Sequence, residues 1–203
     1  MNRLPFTHPS HLAAAVDAVR RAAQRHGVVA LPTETFYGLA VPPADHLAVT
    51  RIFLLKHRPG ERALPVVAAS PAQLAELVVV PEPWRSKLEA VWPAPLTVVL
   101  PARRTGGKGT TLAVRVPDHD LLRALLAEVG PRTATSANRS GEAPLASADA
   151  VAEALGGGLE LLLDGGDTPG GRPSTLVDLT SDVPRVLRRG AWEPPREWGL
   201  GSG

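Results

Sequence analysis

Hydrophobic residues recur along the chain in two periods, which predict helices and strands in alternation. A spacing of three to four residues at Leu12, Val16, Val19 and Ala23, after the potential cap Ser10, predicts an amphipathic helix. Similar spacing or a capping residue predicts five further helices, which begin at Asp45, Ser70, Trp84, Asp118 and Ser147.

Short apolar or β-branched runs between these helices predict the strands. They cover residues 28–31, 64–69, 96–100, 111–116, 132–137, 161–163, 175–179 and 185–187. The connections 102–109 and 180–184 are too short to return a parallel strand, so the strands that they join are predicted to be antiparallel. Alternating strands and helices with some antiparallel pairs favour an α/β fold with a mixed sheet.

The composition is that of an ordinary globular protein. The 203 residues fit one domain, and 44% of them are hydrophobic while 21% are charged. No apolar run reaches the roughly 18 residues of a spanning helix, and the first ten residues lack the basic and apolar stretches of a secretory signal. The absence of cysteine excludes disulfides, thiolate metal sites and cysteine nucleophiles, and the expected compartment is the cytoplasm.

Basic residues are mostly arginine, because Lys56, Lys87 and Lys108 are the only lysines among 22 basic residues. A coding bias explains this excess without any function. Arginine also has the better geometry for binding carboxylates and phosphates. A pI of about 9.5 at a net charge of +2 suits an anionic substrate or RNA, and charge alone leaves these explanations open.

Five segments are more polar than a plain core requires, and the first directly follows a buried strand. Residues 32–39 bring two threonine hydroxyls, a carboxylate and a phenol to the end of that strand, where ligands bind in open α/β sheets. A polar turn would explain the same residues equally well.

The second and third segments carry cations. Lys56 and Arg58 end a helix, where they either complement the helix dipole or clamp a phosphate. Arg115 lies among the apolar residues of a strand, so it either points outwards or needs an anionic partner on the core side of the sheet.

The last two segments are loops of small residues. Residues 133–141 form either an ordinary Asx turn or a phosphate cradle of hydroxyls and backbone amides. The glycine-rich residues 164–175 form either a surface loop or a lid. The glycine-lysine run at 106–111 lacks the residue order of a P-loop, and no histidines have metal-ligand spacing.

Seven motifs containing these segments follow one another along most of the chain. They are Pro32-Thr33-Glu34-Thr35 with Tyr37-Gly38-Leu39, Lys56-x-Arg58-Pro59, Trp92-Pro93-x-Pro95-Leu96-Thr97, Ala113-Val114-Arg115-x-Pro117, Thr135-Ser136-Ala137-Asn138-x-Ser140-Gly141, Pro173-Ser174-Thr175-Leu176-Val177-Asp178 and Leu187-Arg188-x-Gly190-Ala191. In this order they resemble the YrdC-like threonylcarbamoyl-AMP synthases. The chain departs from the family pattern at Phe36, Ala63, Val67 and Ala94.

The resemblance implies an α/β fold in which a twisted mixed sheet with flanking helices surrounds a large basic concave cavity. The expected catalytic domain covers residues 1–191, and the tail 192–203 is expected to be loosely ordered or docked by its tryptophans. Family members condense L-threonine, bicarbonate or CO2, and ATP into threonylcarbamoyl-AMP and pyrophosphate. Downstream proteins then transfer the threonylcarbamoyl group to tRNA, so these proteins are expected partners.

The resemblance also implies roles for individual residues. The expected catalytic cations, which would bind the ATP phosphates, are Lys56 and Arg58. Further ATP contacts are expected from Thr97, Ser136, Asn138 and Arg188. Threonine contacts are expected from Thr33, Arg115, Thr135 and Ser174. Mg2+ is expected on the ATP phosphates, with no ligand from protein side chains.

Two other functions remain open from the sequence. A non-catalytic RNA-binding module fits the pI, although aromatic residues for base stacking make up only 4% of the chain. Carbamoyl transfer in a maturation pathway is the third interpretation, but similar domains occur there within much longer chains. A weak contact with tRNA is also considered for the enzyme, and no membrane contact is expected.

Overall fold

The computed structural model describes residues 1–57, 63–103, 110–181 and 183–199. Within these ranges the chain forms six α-helices, which are α1 (Leu12–Gln24), α2 (His46–Leu55), α3 (Pro71–Leu74), α4 (Glu82–Val91), α5 (Asp120–Val129) and α6 (Ala148–Leu155). The strands in the same ranges are β1 (Asn2–Pro5), β2 (Val29–Leu31), β3 (Gly38–Ala40), β4 (Val66–Val67), β5 (Leu96–Pro101), β6 (Thr111–Arg115), β7 (Arg132–Thr133), β8 (Thr135–Ser136), β9 (Leu161–Asp164), β10 (Thr175–Asp178) and β11 (Arg185–Arg188). None of the described helices combines the length and the hydropathy that a bilayer crossing requires.

Side-chain caps explain where two of the helices begin. Asp45 begins α2 as its position predicts, because its carboxylate accepts a hydrogen bond from Ala48 N at 3.0 Å. The prediction that Asp118 caps α5 is wrong. The cap is His119, whose Nδ1 accepts a hydrogen bond from Leu122 N at 3.2 Å, as a neutral imidazole nitrogen can.

The predicted α/β class is confirmed, with the strands divided between two mixed sheets. The five-stranded sheet has the order β1-β9-β2-β3-β8, and the six-stranded sheet has the order β11-β10-β5-β6-β4-β7. Each sheet contains parallel and antiparallel pairs. The predicted hairpin of β5 and β6 is present as an antiparallel pair.

Helices cover both faces of the five-stranded sheet. Successive side chains of a strand point to opposite faces, so neighbours in sequence enter different cores. Val29 and Leu161 pack with apolar residues of α1 and α5, whereas Ala30 and Leu162 pack with α2 and α6. This sheet is therefore the buried centre of its half of the molecule.

One face of the six-stranded sheet packs against α3 and α4. Val98, Val114 and Val177 pack there with Leu74 of α3 and Leu88 of α4. The alternation of side chains then turns their sequence neighbours towards the opposite face, which borders a cavity.

Residues 132–137 pass from one sheet to the other, so the prediction of a single strand is wrong. β7 pairs with β4 in the six-stranded sheet, and β8 pairs with β3 in the five-stranded sheet. Between them, Ala134 N donates a hydrogen bond to Pro65 O at 2.8 Å. This crossing segment brings the ends of both sheets together.

The described part of the tail, residues 192–199, packs against the six-stranded half. Trp198 is 5% exposed, and its ring centroid lies 5.2 Å from that of Trp84 and 5.0 Å from that of Trp192. Trp192 O also accepts a hydrogen bond from Thr175 Oγ1. Aromatic packing therefore docks this segment onto the helix-covered face.

Candidate functional site

A cavity of about 480 Å3 lies between the two sheets, a size that suits a small-molecule site. Seven of the ten residues given site roles from the sequence line it, namely Thr33, Thr97, Arg115, Thr135, Ser136, Ser174 and Arg188. Lys56 and Asn138 are outside its lining, and Arg58 lies outside the residues that the structure describes. The sequence motifs thus converge on one concave surface from distant parts of the chain.

The five-stranded sheet contributes what we call the hydroxyl wall, formed by Thr33, Thr35, Tyr37, Thr135 and Ser136. Its first three members belong to the turn between β2 and β3. That turn is held internally, because Thr33 Oγ1 donates to Phe36 O at 2.7 Å and accepts from Thr35 N at 3.2 Å. The Thr33 hydroxyl therefore shapes the backbone at the cavity edge.

The six-stranded sheet contributes what we call the cationic wall, formed by Thr97, Arg115, Ser174 and Arg188. Arg115 follows Val114 in β6, so the alternation that buries the valine beneath the helices turns the arginine into the cavity. Of the two orientations open from the sequence, Arg115 takes the inward one.

Arg115 is paired with Glu34, which lies in the turn between β2 and β3. Its Nη1 donates to Glu34 Oε1 at 2.9 Å, and the two side chains are 9% and 10% exposed. Within the described residues, the buried Glu34 Oε2 has no hydrogen-bond partner. The pair is thus largely shielded from water, which strengthens its mutual attraction.

Arg188 is held against the segment that precedes β10. Its Nη2 donates to Ser174 O at 2.9 Å and Nε donates to the same oxygen at 3.2 Å. Ser174 Oγ shares a hydrogen bond of 2.9 Å with Thr97 Oγ1. Burial lowers the pKa of Arg188, and the positive charge of Arg115 lowers it further. The two guanidinium groups therefore repel each other, and an anion bound between them would reduce this repulsion.

A glycine permits this close packing. A Cβ on Gly190 would stand 2.1 Å from Pro173 O and 2.4 Å from Ser174 C. Any other residue would push β11 away from the segment that carries Ser174. The glycine in this motif is therefore needed to keep Arg188 at the cavity.

Lys56 lies beside the cavity and is 4% exposed. Its Nζ donates to Ser136 O, to Asn138 O at 2.8 Å and to Asn138 Oδ1 at 3.3 Å. Its own carbonyl accepts a hydrogen bond from Ser140 N at 2.8 Å. The lysine thereby fastens the loop that follows β8 to the end of α2, and its predicted role at the ATP phosphates stays a prediction.

Tyr37 fastens the glycine-rich loop that the sequence offers as a lid. Its hydroxyl donates to Gly166 O at 2.7 Å and accepts from Gly165 N at 3.0 Å. Further along the loop, Gly170 N donates to Thr35 O at 2.7 Å. Burial raises the pKa of the Tyr37 phenol to about 12. Tyr37 is therefore a neutral structural link between the cavity and this loop.

Sequence reasoning missed the roles of Glu34 and Tyr37. Both belong to the motif at residues 32–39, and the carboxylate was the one charged group in an otherwise apolar and hydroxylic turn. A charge in such a turn signals a buried counter-ion, but nothing in the sequence says that the counter-ion is Arg115, 81 residues away.

No cluster of three or more His, Cys, Asp or Glu that could hold a metal occurs within the part of the chain that the structure describes. The described lining offers hydroxyl and guanidinium groups instead. Such groups suit phosphate and carboxylate oxygens and do not suit a bare cation.

Comparison with known proteins identifies a family and several similar proteins. The model of the Sua5/YciO/YrdC family, described as "Telomere recombination", matches residues 21–190. The threonylcarbamoyl-AMP synthase of Pyrococcus abyssi is 42% identical over 171 residues, which are 80% of this chain and 50% of that protein. The threonylcarbamoyl-AMP synthase of Chromohalobacter salexigens is 39% identical over 192 residues, which are 88% of this chain and 96% of that protein.

A solved structure shares the fold. The crystal structure of P. abyssi Sua5 complexed with L-threonine has a TM-score of 0.81 at 36% identity, covering 93% of this chain and 57% of that one. The chain therefore spans about half the length of the P. abyssi synthase, and 96% of the C. salexigens protein.

Proposed function

The chain belongs to the Sua5/YciO/YrdC family, and we propose from this that it is an L-threonylcarbamoyladenylate synthase. The proposed substrates are L-threonine, bicarbonate or CO2, and ATP, and the products are threonylcarbamoyl-AMP and pyrophosphate. The observation that carries the proposal is the convergence of two guanidinium groups and several hydroxyls on one cavity between the sheets.

The proposed reaction needs positioning and charge stabilisation and no covalent nucleophile. The amine of threonine attacks the carbon of bicarbonate, water is lost, and a carbamate forms. A carbamate oxygen then attacks the α-phosphorus of ATP, the bond to the β-phosphate oxygen breaks, and pyrophosphate leaves. Guanidinium groups fixed before the reaction stabilise the charge that develops on the phosphates.

Different residues at the cavity can be assigned to the different groups of the substrates. We assign the threonine carboxylate to Arg115, whose planar fork matches a carboxylate. We assign ATP phosphates to Arg188, with Lys56 and Asn138 shaping the neighbouring loop. A partly closed cavity favours the neutral threonine amine, since removal from water disfavours its charged form.

Mg2+ enters the proposal as a companion of ATP. The ion would neutralise charge on the leaving pyrophosphate, and its ligands would be phosphate oxygens and water. The chain's own residues then position the nucleotide that carries the ion. The product would pass to downstream proteins that modify tRNA, so we place the enzyme in the cytoplasm.

The test is release of pyrophosphate from ATP by the purified chain. We expect release that requires both threonine and bicarbonate and that is unchanged by added RNA. The variant Arg188→Ala should lower this release at least 30-fold, since a cation that lines the cavity and is held by Ser174 O is lost.

Arg185→Ala is the matched control, since Arg185 lies on the same strand β11 but is not part of the cavity lining. It should release pyrophosphate like the unaltered chain. Tight RNA binding without any threonine-dependent release would overturn the proposal in favour of a non-catalytic RNA-binding module.

A further inference from the structure

The Glu34–Arg115 ion pair connects the two sheets beside the cavity, and it also affects how Arg115 can bind a ligand. Glu34 lies in the turn after β2 of the five-stranded sheet, and Arg115 lies in β6 of the six-stranded sheet. Of the two, only Arg115 lines the cavity among the described residues. The carboxylate therefore contacts the guanidinium without being part of the cavity lining.

The position of Glu34 restricts what Arg115 can do. The bond from Arg115 Nη1 to Glu34 Oε1 occupies one of five guanidinium donors and restricts the orientation of the group. The remaining donors are left to a ligand in the cavity. A guanidinium that is already oriented loses less side-chain entropy when it binds a carboxylate as a fork.

The charge of Glu34 also matters, because the cavity holds a second guanidinium. The pKa of Arg188 is lowered by burial and by Arg115, so the two cations repel each other. Glu34 offsets the charge of Arg115 and leaves Arg188 as the cation without an acidic partner among the described residues. The two arginines thereby differ: Arg115 belongs to a balanced pair, and Arg188 carries an unbalanced positive charge.

We infer that Glu34 is a positioning residue, which orients Arg115 to bind the carboxylate of the amino-acid substrate and keeps polyphosphate away from that guanidinium. The inference rests on the proposed function, because it takes threonine and ATP as the two ligands. It adds a residue that does not touch either of them. An Arg–Glu pair has no net charge, so it binds a carboxylate by hydrogen bonds and does not strongly attract a polyphosphate. An arginine without an acidic partner would also attract a polyphosphate.

The variant Glu34→Gln tests the inference with almost no change in volume. The amide keeps an acceptor for Arg115 but removes the charge, so the hydrogen bond is weaker and the guanidinium is freer. We expect the KM for threonine to rise about tenfold, with kcat changed less than threefold and the KM for ATP unchanged or lower. Thermal unfolding of the variant checks that the fold persists.

The competitor L-threoninamide separates positioning from a merely structural role, because it lacks the carboxylate. Its inhibition constant should agree within twofold between Glu34→Gln and the unaltered chain. A loss of affinity for the amide equal to the loss for threonine would overturn the inference, because the effect would then not pass through the carboxylate.

Glu160→Gln is the matched control, since Glu160 pairs with Arg25 at the same 2.9 Å on the exposed surface. It should leave both KM values unchanged. If the unaltered chain makes no threonine-dependent pyrophosphate, the proposed function fails. If it does and Glu34→Gln leaves the KM for threonine unchanged, only the role of Glu34 fails.

Discussion

The hydroxyl wall and the cationic wall face the same cavity but differ in chemistry. Among the described lining residues, both arginines come from the six-stranded sheet, and the five-stranded sheet supplies threonine, tyrosine and serine hydroxyls. The difference follows from how each sheet is covered. Helices pack on both faces of the five-stranded sheet, so its central strands β2 and β3 are apolar, and the polar groups that reach the cavity lie in the turn after β2 and in β8.

The six-stranded sheet packs against α3 and α4 on one face, and much of its other face borders the cavity, so that face can carry charged side chains. Charged donors contribute roughly twice the energy of neutral ones. We therefore expect the cationic wall to supply most of the affinity for anions, while the hydroxyl wall supplies shape and smaller increments. Substitutions on the two walls should differ in size accordingly.

The largest effect should follow removal of Arg115. In Arg115→Ala the fork for the carboxylate is lost, and we expect kcat/KM for threonine to fall at least 100-fold while the KM for ATP changes less than threefold. Steady-state kinetics with each substrate varied in turn measures this difference. Equal losses for threonine and ATP would show that the two arginines do not divide the ligands.

Stability has to be separated from binding in this experiment, because Arg115→Ala leaves the Glu34 carboxylate buried without its partner, at a cost of about 3–5 kcal/mol. Arg115→Lys keeps the charge but cannot form a fork, so it should remain folded and still lose threonine selectively. Arg25→Ala, at the exposed pair with Glu160, should change neither kinetics nor folding.

A smaller effect is expected on the hydroxyl wall. Thr135 is 7% exposed and lines the cavity from β8, and Thr135→Val keeps its shape while removing the hydroxyl. The loss of one neutral hydrogen bond of about 1 kcal/mol predicts a fall of roughly fivefold in kcat/KM for threonine. Thr111→Val, at an exposed position of β6, is the control. An effect as large as that of Arg115→Ala would contradict the proposed difference between the walls.

Much of the fold could be predicted because it depends on local signals. The cap at Asp45 and the hairpin of β5 and β6 are determined by residues that lie close together in the sequence. By contrast, β1 was missed because its residues have no strand pattern of their own, and it exists through parallel pairing with β9 about 160 residues later. The division of residues 132–137 between two sheets likewise depends on partners that no local pattern reveals.

The family and several cavity residues could also be predicted, because the order of the motifs is visible in the sequence even though the contacts between them are not. The match over residues 21–190 confirms the resemblance to the YrdC-like family. Long-range pairing was not predictable: the bonds from Lys56 to the loop after β8 and from Arg115 to Glu34 each join residues about 80 positions apart. Arg58 lies outside the described residues, so its role stays a prediction.

The smallest effect on catalysis should come from Tyr37, although it belongs to the hydroxyl wall. Both polar contacts of its hydroxyl are made with the loop at Gly165 and Gly166. Tyr37→Phe should therefore change kcat/KM for threonine less than twofold, yet lower the free energy of unfolding by about 2 kcal/mol, since Gly166 O loses its donor. Urea denaturation followed by tryptophan fluorescence measures the second quantity.

The stabilising contribution of Tyr37 should depend on pH in a definite direction. The phenol titrates near 10 in the unfolded chain, but burial raises its pKa to about 12 in the folded protein. The stabilising contribution is therefore complete below pH 10 and declines as the pH rises from 10 to 12, because the unfolded state loses the proton first. Tyr37 is the chain's one tyrosine, so the tyrosinate absorbance at 295 nm reports this group alone. A midpoint near pH 10 in the folded protein would show that the phenol is not held between the cavity and the loop.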